Sequence, residues 1–188
     1  NTPTAEGIAS VARQLTKNGH PPVHLWDPPF CGDLDMRIAR DGTWYYLGTP
    51  IGRFELVKLF SSIIRKDEDK YFLVTPAEKV GIKVDDAPFV AVDFVTIGKG
   101  SNQTLTFETH VGDKVQLNKE NSLRVLIDKK SGEPKPYIHI RSGLEALIDR
   151  KSFYRLIEIW STNTNNKEEW FGLWSNKNFF PIVRASEF

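Results

Sequence analysis

The chain has 188 residues, 40% hydrophobic and 26% charged, enough for one large domain or two small ones without a disulfide or metal staple. Its 25 basic and 24 acidic side chains leave a formal charge of +1, which excludes a protein built to coat a nucleic-acid polymer. Cys31 has no second cysteine to bond with, and no apolar run approaches the roughly 18 residues of a membrane span.

Ala5 to Thr16 reads as a helix, with Ile8, Val11, Ala12 and Leu15 at helical spacing, Thr4 as N-cap and Asn18-Gly19 as the stop. In "HPPVHLWDPPFCGD" the prolines forbid a regular helix and predict an extended strap. Cys31 within it is expected to be a small, partly buried apolar residue. Asp35 to Ala39 alternates, Arg40-Asp41-Gly42 is turn chemistry, and Thr43 to Leu47 is strand-like, so a β-hairpin is expected. Gly48 to Gly52 is a second break. Phe54 to Ile64 follows as an amphipathic helix, and "RKDEDK" from Arg65 to Lys70 as a solvated loop.

Short strands are expected over Tyr71 to Thr75, Glu78 to Val84, Phe89 to Ile97 and Gln103 to Thr109. Leu123 to Ile127 and Pro136 to Ile140 read as a further hairpin. Gly143 to Asp149 is a short turn or helix, Ser152 to Trp160 an amphipathic helix, and Ser161 to Lys167 a loop. Trp170 and Trp174 lie four residues apart in the tail, with core packing or a terminal cap favoured over a stacking platform. Asp33, Asp35, Asp85 and Asp86 are assigned to turns.

"DGTWYYLGTPIGR" (residues 41–53) raises the question of a phosphate loop. It is not a P-loop, because Arg53-Phe54 stands where that motif needs Lys followed by Ser or Thr. The glycines also lack the tight spacing of a dinucleotide fingerprint. A glycine-bearing turn feeding a helix remains. Its free amides, the Thr49 hydroxyl and the Arg53 fork are an anion-binding set, beside the plain alternative of a strand-to-helix turn. His20 and His24 lie near Cys31, Asp33 and Asp35, but Pro21-Pro22 prevents the helical turn that would align them, so no metal site is expected. His139 alternates with Tyr137 and Arg141 and shares a sheet face with them. No nucleophile elbow or zinc-protease signature occurs.

A short internal repeat sets "PIGRFELVKLF" against "LIDRKSFYRLI". Each has an arginine, Arg53 or Arg150, at the start of an apolar helix. A positive charge there opposes the helix dipole and asks for an anion or a carboxylate.

The stretches "DMRIARDGTWYYLGTPIGR", "LVKLFSSIIR", "FLVTPAEKVGIKVDDAPFVAV" and "PYIHIRSGLEALIDRKSFYRL" together resemble a bacterial family, domain-of-unknown-function family 1285, over roughly Trp26 to Leu156. The resemblance implies an α+β protein of two small modules, each of antiparallel strands plus a packed helix, at 1–85 and 86–188. The second module is implied to be similar to a pleckstrin-homology-like barrel. It implies no catalytic activity and names no cofactor; the implied role is binding a nucleotide-like ligand between the modules in signal transduction. Carried onto this chain, the site residues are Trp44, Thr49, Arg53, Thr75, Glu78, Arg141 and Arg150. Arg53 and Arg150 would grip phosphates with Thr49, Trp44 or Tyr45 would stack a base, and Glu78 would orient an arginine or accept from the ligand. The expectation is therefore a non-enzymatic binding protein of the cytoplasm, with a nucleotide-like small molecule and a signalling protein as partners. The rival readings are an enzyme acting on a phosphorylated small molecule and a protein-interaction module.

Overall fold

The computed structural model describes residues 2–187. The architecture is mixed α+β, and the chain divides into two compact units, Asn1–Pro88 and Phe89–Phe188.

Unit 1 opens with α1 (Ala5–Leu15), whose N-cap Thr4 accepts from the Gly7 amide as its sequence requires. The proline-rich strap contains one three-residue 3-10 turn at Val23–Leu25 and runs into β1 (Phe30–Ile38). Then come β2 (Trp44–Tyr46), β3 (Thr49–Pro50), α2 (Phe54–Ser62), β4 (Ile64–Asp67), β5 (Lys70–Val74) and β6 (Lys79–Val84). They form one sheet in the order β3-β2-β1-β6-β5-β4, in which only β1 and β6 run parallel. The alternation of β1 buries Met36 and Ile38 beside Trp44, and Phe60 of α2 stacks on Trp44 at 6.1 Å. Tyr46 stands on the same face, and its hydroxyl accepts from the Ala5 amide at the start of α1.

Unit 2 contains β7 (Phe89–Ile97), β8 (Thr104–Thr109), β9 (Lys114–Gln116), β10 (Leu123–Ile127), β11 (Pro134–Arg141), β12 (Leu144–Ile148), α3 (Arg150–Ile159), β13 (Ser161–Asn165), β14 (Glu168–Ser175) and β15 (Asn178–Arg184). Its main sheet has the order β10-β11-β12-β7-β8-β9, again with a single parallel pair, β12 and β7. One sheet of the molecule curls into a half-barrel. The core of unit 2 holds Phe89, Phe107, Leu105, Ile138, Ala146 and Leu156. The strands β13-β14-β15 form a small meander tied to β8, where the Leu105 amide donates to Ser175 Oγ at 3.0 Å and Gln103 Nε2 to the Trp174 carbonyl at 3.0 Å.

Several sequence expectations need correction. Arg65 to Lys70 is not a solvated loop but the β4–β5 hairpin. Arg65 pairs with Asp67 at 3.0 Å and donates to the carbonyls of Val23 (3.0 Å) and Trp26 (2.7 Å), so its charge pins the strap rather than facing water. Gly143 to Asp149 is mostly strand β12, because parallel pairing with β7 overrides its weak local signal. Ser161 to Lys167 carries β13, and the tail is strand rather than helix. Two Asn-Lys turns with positive φ, 51° and 68° at Asn166-Lys167 and 53° and 63° at Asn176-Lys177, set these hairpins. Asp33 and Asp35 lie within β1, and Cys31 is exposed. β9 is an addition that short polar alternation did not reveal.

The internal repeat takes a more definite form. β2, Leu47-Gly48, β3 and α2 in unit 1 match β11, Ser142-Gly143, β12 and α3 in unit 2. The turn residues have φ of 52° and 78° in the first copy and 49° and 78° in the second. Both are two-residue hairpins feeding a helix.

Candidate functional site

The two helix starts differ in chemistry. At α3, Asp149 is the N-cap, and its carboxylate accepts from the Ser152 amide at 2.8 Å. Arg150 is the first helical residue and pairs with Glu133 at 3.1 Å. The unfavourable arginine charge thus has its carboxylates inside unit 2.

At α2 the N-cap is Arg53 itself, with no side-chain cap. The Arg53 carbonyl accepts from the amides of Leu56 and Val57, which leaves those of Phe54 and Glu55 to solvent or a ligand. Glu55 is turned to Arg13 of α1 at 3.7 Å. Arg53 is exposed and makes no ion pair among the described residues. From Leu47 to Glu55 every residue except Ile51 is exposed, including Leu47 at 65% and Phe54 at 57%. Thr49 belongs to this ledge, on the two-residue edge strand β3.

The other expected residues have different surroundings. Trp44 is 1% exposed and stacked on Phe60, so its ring belongs to the core and offers no face to a base. Its indole N–H is buried without an acceptor among the described residues. Tyr45 is half-exposed, with the Arg37 guanidinium 4.5 Å above its ring and Arg37 in turn paired to Asp85. Thr75 is 1% exposed, and its hydroxyl accepts from the amides of Ala77 (3.3 Å) and Glu78 (3.2 Å), closing the β5–β6 turn. Glu78 is half-buried on the same turn and makes no ion pair among the described residues, so no arginine is oriented by it there. In unit 2, Arg141 pairs with Asp113 at 3.1 Å and lies 5.0 Å over the Phe89 ring. Within unit 1, Thr49 and Arg53 lie on one exposed stretch of chain, whereas Trp44 and Thr75 have structural tasks.

Sequence reasoning missed Asp149 and Glu133, the groups that neutralise the second helix start. Asp149 was readable, since an aspartate directly before an apolar-periodic run is a helix-start signal. Glu133 was not, because 17 residues separate it from Arg150 and only the β11–β12 hairpin brings them together. Among the described residues, no group of three or more His, Cys, Asp or Glu side chains gathers as a metal site.

Fold and site together define a two-unit α+β chain with a duplicated hairpin–helix motif, one copy neutralised and one open. Residues 21–87 match the family model described as "Domain of unknown function (DUF1285), N-terminal domain", and residues 88–182 match "Protein of unknown function (DUF1285), C-terminal domain". The chain belongs to the DUF1285 family. It is similar to the crystal structure of a DUF1285 family protein from Silicibacter pomeroyi DSS-3, with 56% identity and a TM-score of 0.87 over 96% of this chain and 97% of that one. It is also similar to a DUF1285 family protein from Shewanella baltica OS155, with 28% identity and a TM-score of 0.54 over 68% of this chain and 94% of that one. A comparison with curated proteins gives no match.

Proposed function

We propose that this chain is a non-enzymatic binding protein that takes a phosphate-bearing, nucleotide-like ligand at the start of α2. One observation carries the reading: Arg53 is an exposed cation, with no ion pair among the described residues, on a helix start with no side-chain cap. Free amides and a guanidinium fork suit a phosphate group, and Thr49 adds a hydroxyl from the same ledge. Tyr45 carries Arg37 on its ring and stands on the sheet face opposite Thr49, so it does not join this grip. Arg150 and Arg141 leave the grip, because each already holds a carboxylate. Signal transduction and a pleckstrin-homology-like ancestry for unit 2 belong to the same proposal. A helix following the last strand of its main sheet is in keeping with that ancestry.

The test is a thermal-shift series with mononucleotides, cyclic nucleotides and inorganic phosphate on wild type, Arg53→Ala and Arg150→Ala. A ligand at 100 times its dissociation constant stabilises by about 2.7 kcal/mol. The expected result is a shift in wild type and in Arg150→Ala that vanishes in Arg53→Ala. No shift at millimolar concentration, or a shift that survives Arg53→Ala, overturns the reading.

A further inference from the structure

β10 (Leu123–Ile127) is an edge strand of the main sheet of unit 2, and its ladder partner is β11. Two bonds flank this ladder. The His139 amide donates to the Ser122 carbonyl at 3.1 Å, and the Asp128 amide to the Glu133 carbonyl at 2.8 Å. Bonded and non-bonded positions alternate in an antiparallel pair. Arg124 and Leu126 therefore turn their backbone groups to β11, while Leu123, Val125 and Ile127 turn theirs away. The partner strand agrees: Pro136 and Pro134 stand opposite Val125 and Ile127, and neither has an N–H to give. No protein group among the described residues takes up the N–H or C=O of Leu123, Val125 or Ile127. β15 comes near β10, but no hydrogen bond joins the two among the described residues.

The other sheet edges are blunted, as folded proteins require. β3 has two residues, one of them Pro50, and β9 has three, with Lys114 and Gln116 at its ends. β4 carries Lys66, β13 is wholly polar, and Pro181 interrupts β15. β10 instead reads LRVLI, with Leu126 at 47% and Ile127 at 51% exposure. Its single charge, Arg124, is held by both carboxylate oxygens of Glu145.

We infer that β10 pairs antiparallel with β10 of a second copy of this chain, about a twofold axis at Val125. A second copy fits because the edge complements itself. With Val125 opposite Val125, Leu123 meets Ile127 and Arg124 meets Leu126. Every outward residue then faces an outward residue, giving about six ladder bonds. Apolar side chains meet on one face, and no like charges oppose each other within the strands. Continued past the strand ends, the same count brings Glu120 of one copy to Lys130 of the other, twice by symmetry. Both are exposed, and neither has an ion pair among the described residues. The remaining charges on that line, Asp128, Lys129 and Lys119, fall opposite Ser122, Asn121 and Ser131. A pairing this short belongs with small, transient interfaces, so it is a monomer–dimer equilibrium rather than an obligate dimer. The inference does not rest on the α2 site.

The experiment is sedimentation of the full chain from about 1 μM to about 1 mM, with amide hydrogen exchange at both ends of that range. The expected result is a mass that rises toward two copies. Exchange at Leu123, Val125 and Ile127 should be fast in dilute protein and slow in concentrated protein. Val125→Pro removes an outward donor that β11 does not use, and should weaken association by about tenfold or more. Glu120→Lys leaves the strand intact and should weaken it about threefold. Adding Lys130→Glu to that variant should restore it. A single copy throughout the range overturns the inference. So does association that survives Val125→Pro, or that Lys130→Glu weakens further in the Glu120→Lys chain. Slow exchange of the Val125 amide in dilute protein also overturns it, because the edge is then covered within the chain.

Discussion

The hairpin–helix of unit 1 and that of unit 2 begin from the same turn and end in different chemistry. In unit 2 the second strand, β12, is five residues long, is covered by β7, and delivers Asp149 to cap α3. In unit 1 the second strand, β3, is two residues long and stands at the sheet edge. Pro50 lies on it, which denies that edge a donor and keeps another strand from adding there. The chain then enters α2 on an uncapped arginine. A duplicated motif can thus serve as framework in one place and leave a polar terminus open in the other. What differs is the length of one strand and the identity of one cap.

The largest effect comes from removing what holds the open copy in place. Phe60 is 1% exposed and stacks on Trp44, so Phe60→Ala should cost about 3–5 kcal/mol in urea unfolding. A loss under about 1 kcal/mol would mean that α2 is not anchored through this pair. Next is an exchange of caps. Asp149→Ala should cost about 1 kcal/mol, whereas Arg53→Ala should be near neutral for stability. Arg53→Asp should stabilise by a similar ~1 kcal/mol while removing anion binding, since it converts the first helix start into a likeness of the second. If Arg53→Asp destabilises instead, Arg53 has a structural partner and the contrast between the copies fails.

A smaller effect tests the shared turn. Leu47 holds φ 52°, a left-handed conformation that a leucine adopts at a cost and an asparagine tolerates. Leu47→Asn should raise stability by about 0.5–1 kcal/mol, measured by thermal unfolding. Binding that falls when stability rises would show that the exposed leucine touches the ligand.

These contrasts also explain what the sequence made legible. The helices of α1 and α2, the first hairpin and the central strands follow from periodicity and turn residues that act locally, such as Met36 and Ile38 or Asp41-Gly42. Both arginines were legible as helix-start residues. What Arg150 and Arg141 meet was not, because Glu133 and Asp113 reach them through strand pairing. The same holds for the charge run at Arg65: it reads as loop until Asp67, Lys79 and the strap carbonyls surround it. Trp44 misled for the opposite reason. An aromatic beside a glycine-bearing turn has the composition of a ligand platform, and only the packing of α2 shows that it is core.

The smallest expected effect concerns that charge cluster and appears only in acid. Burial works to raise the Asp67 carboxyl, but hydrogen bonds and charge from Arg65 and Lys79 outweigh it and hold it below the usual aspartate value. As the pH falls below about 4, the unfolded chain takes up the proton first, while the folded chain keeps the carboxylate ionised. Stability from this cluster is therefore fully present above the unfolded value and is lost as pH falls through the folded one. Asp93 in unit 2 is lowered too, chiefly by its bond from Arg155, and then by the Phe94 amide. Asp67→Asn should flatten the loss of urea stability between neutral pH and about pH 3. It should also loosen the strap, read as faster amide exchange around Lys79, whose N–H donates to the Pro29 carbonyl. Asp93→Asn should flatten the acid loss without touching the strap, and should weaken the hold on Arg155 of α3 instead. An acid profile unchanged in Asp67→Asn would show that Arg65 holds the strap carbonyls without help from the carboxylate.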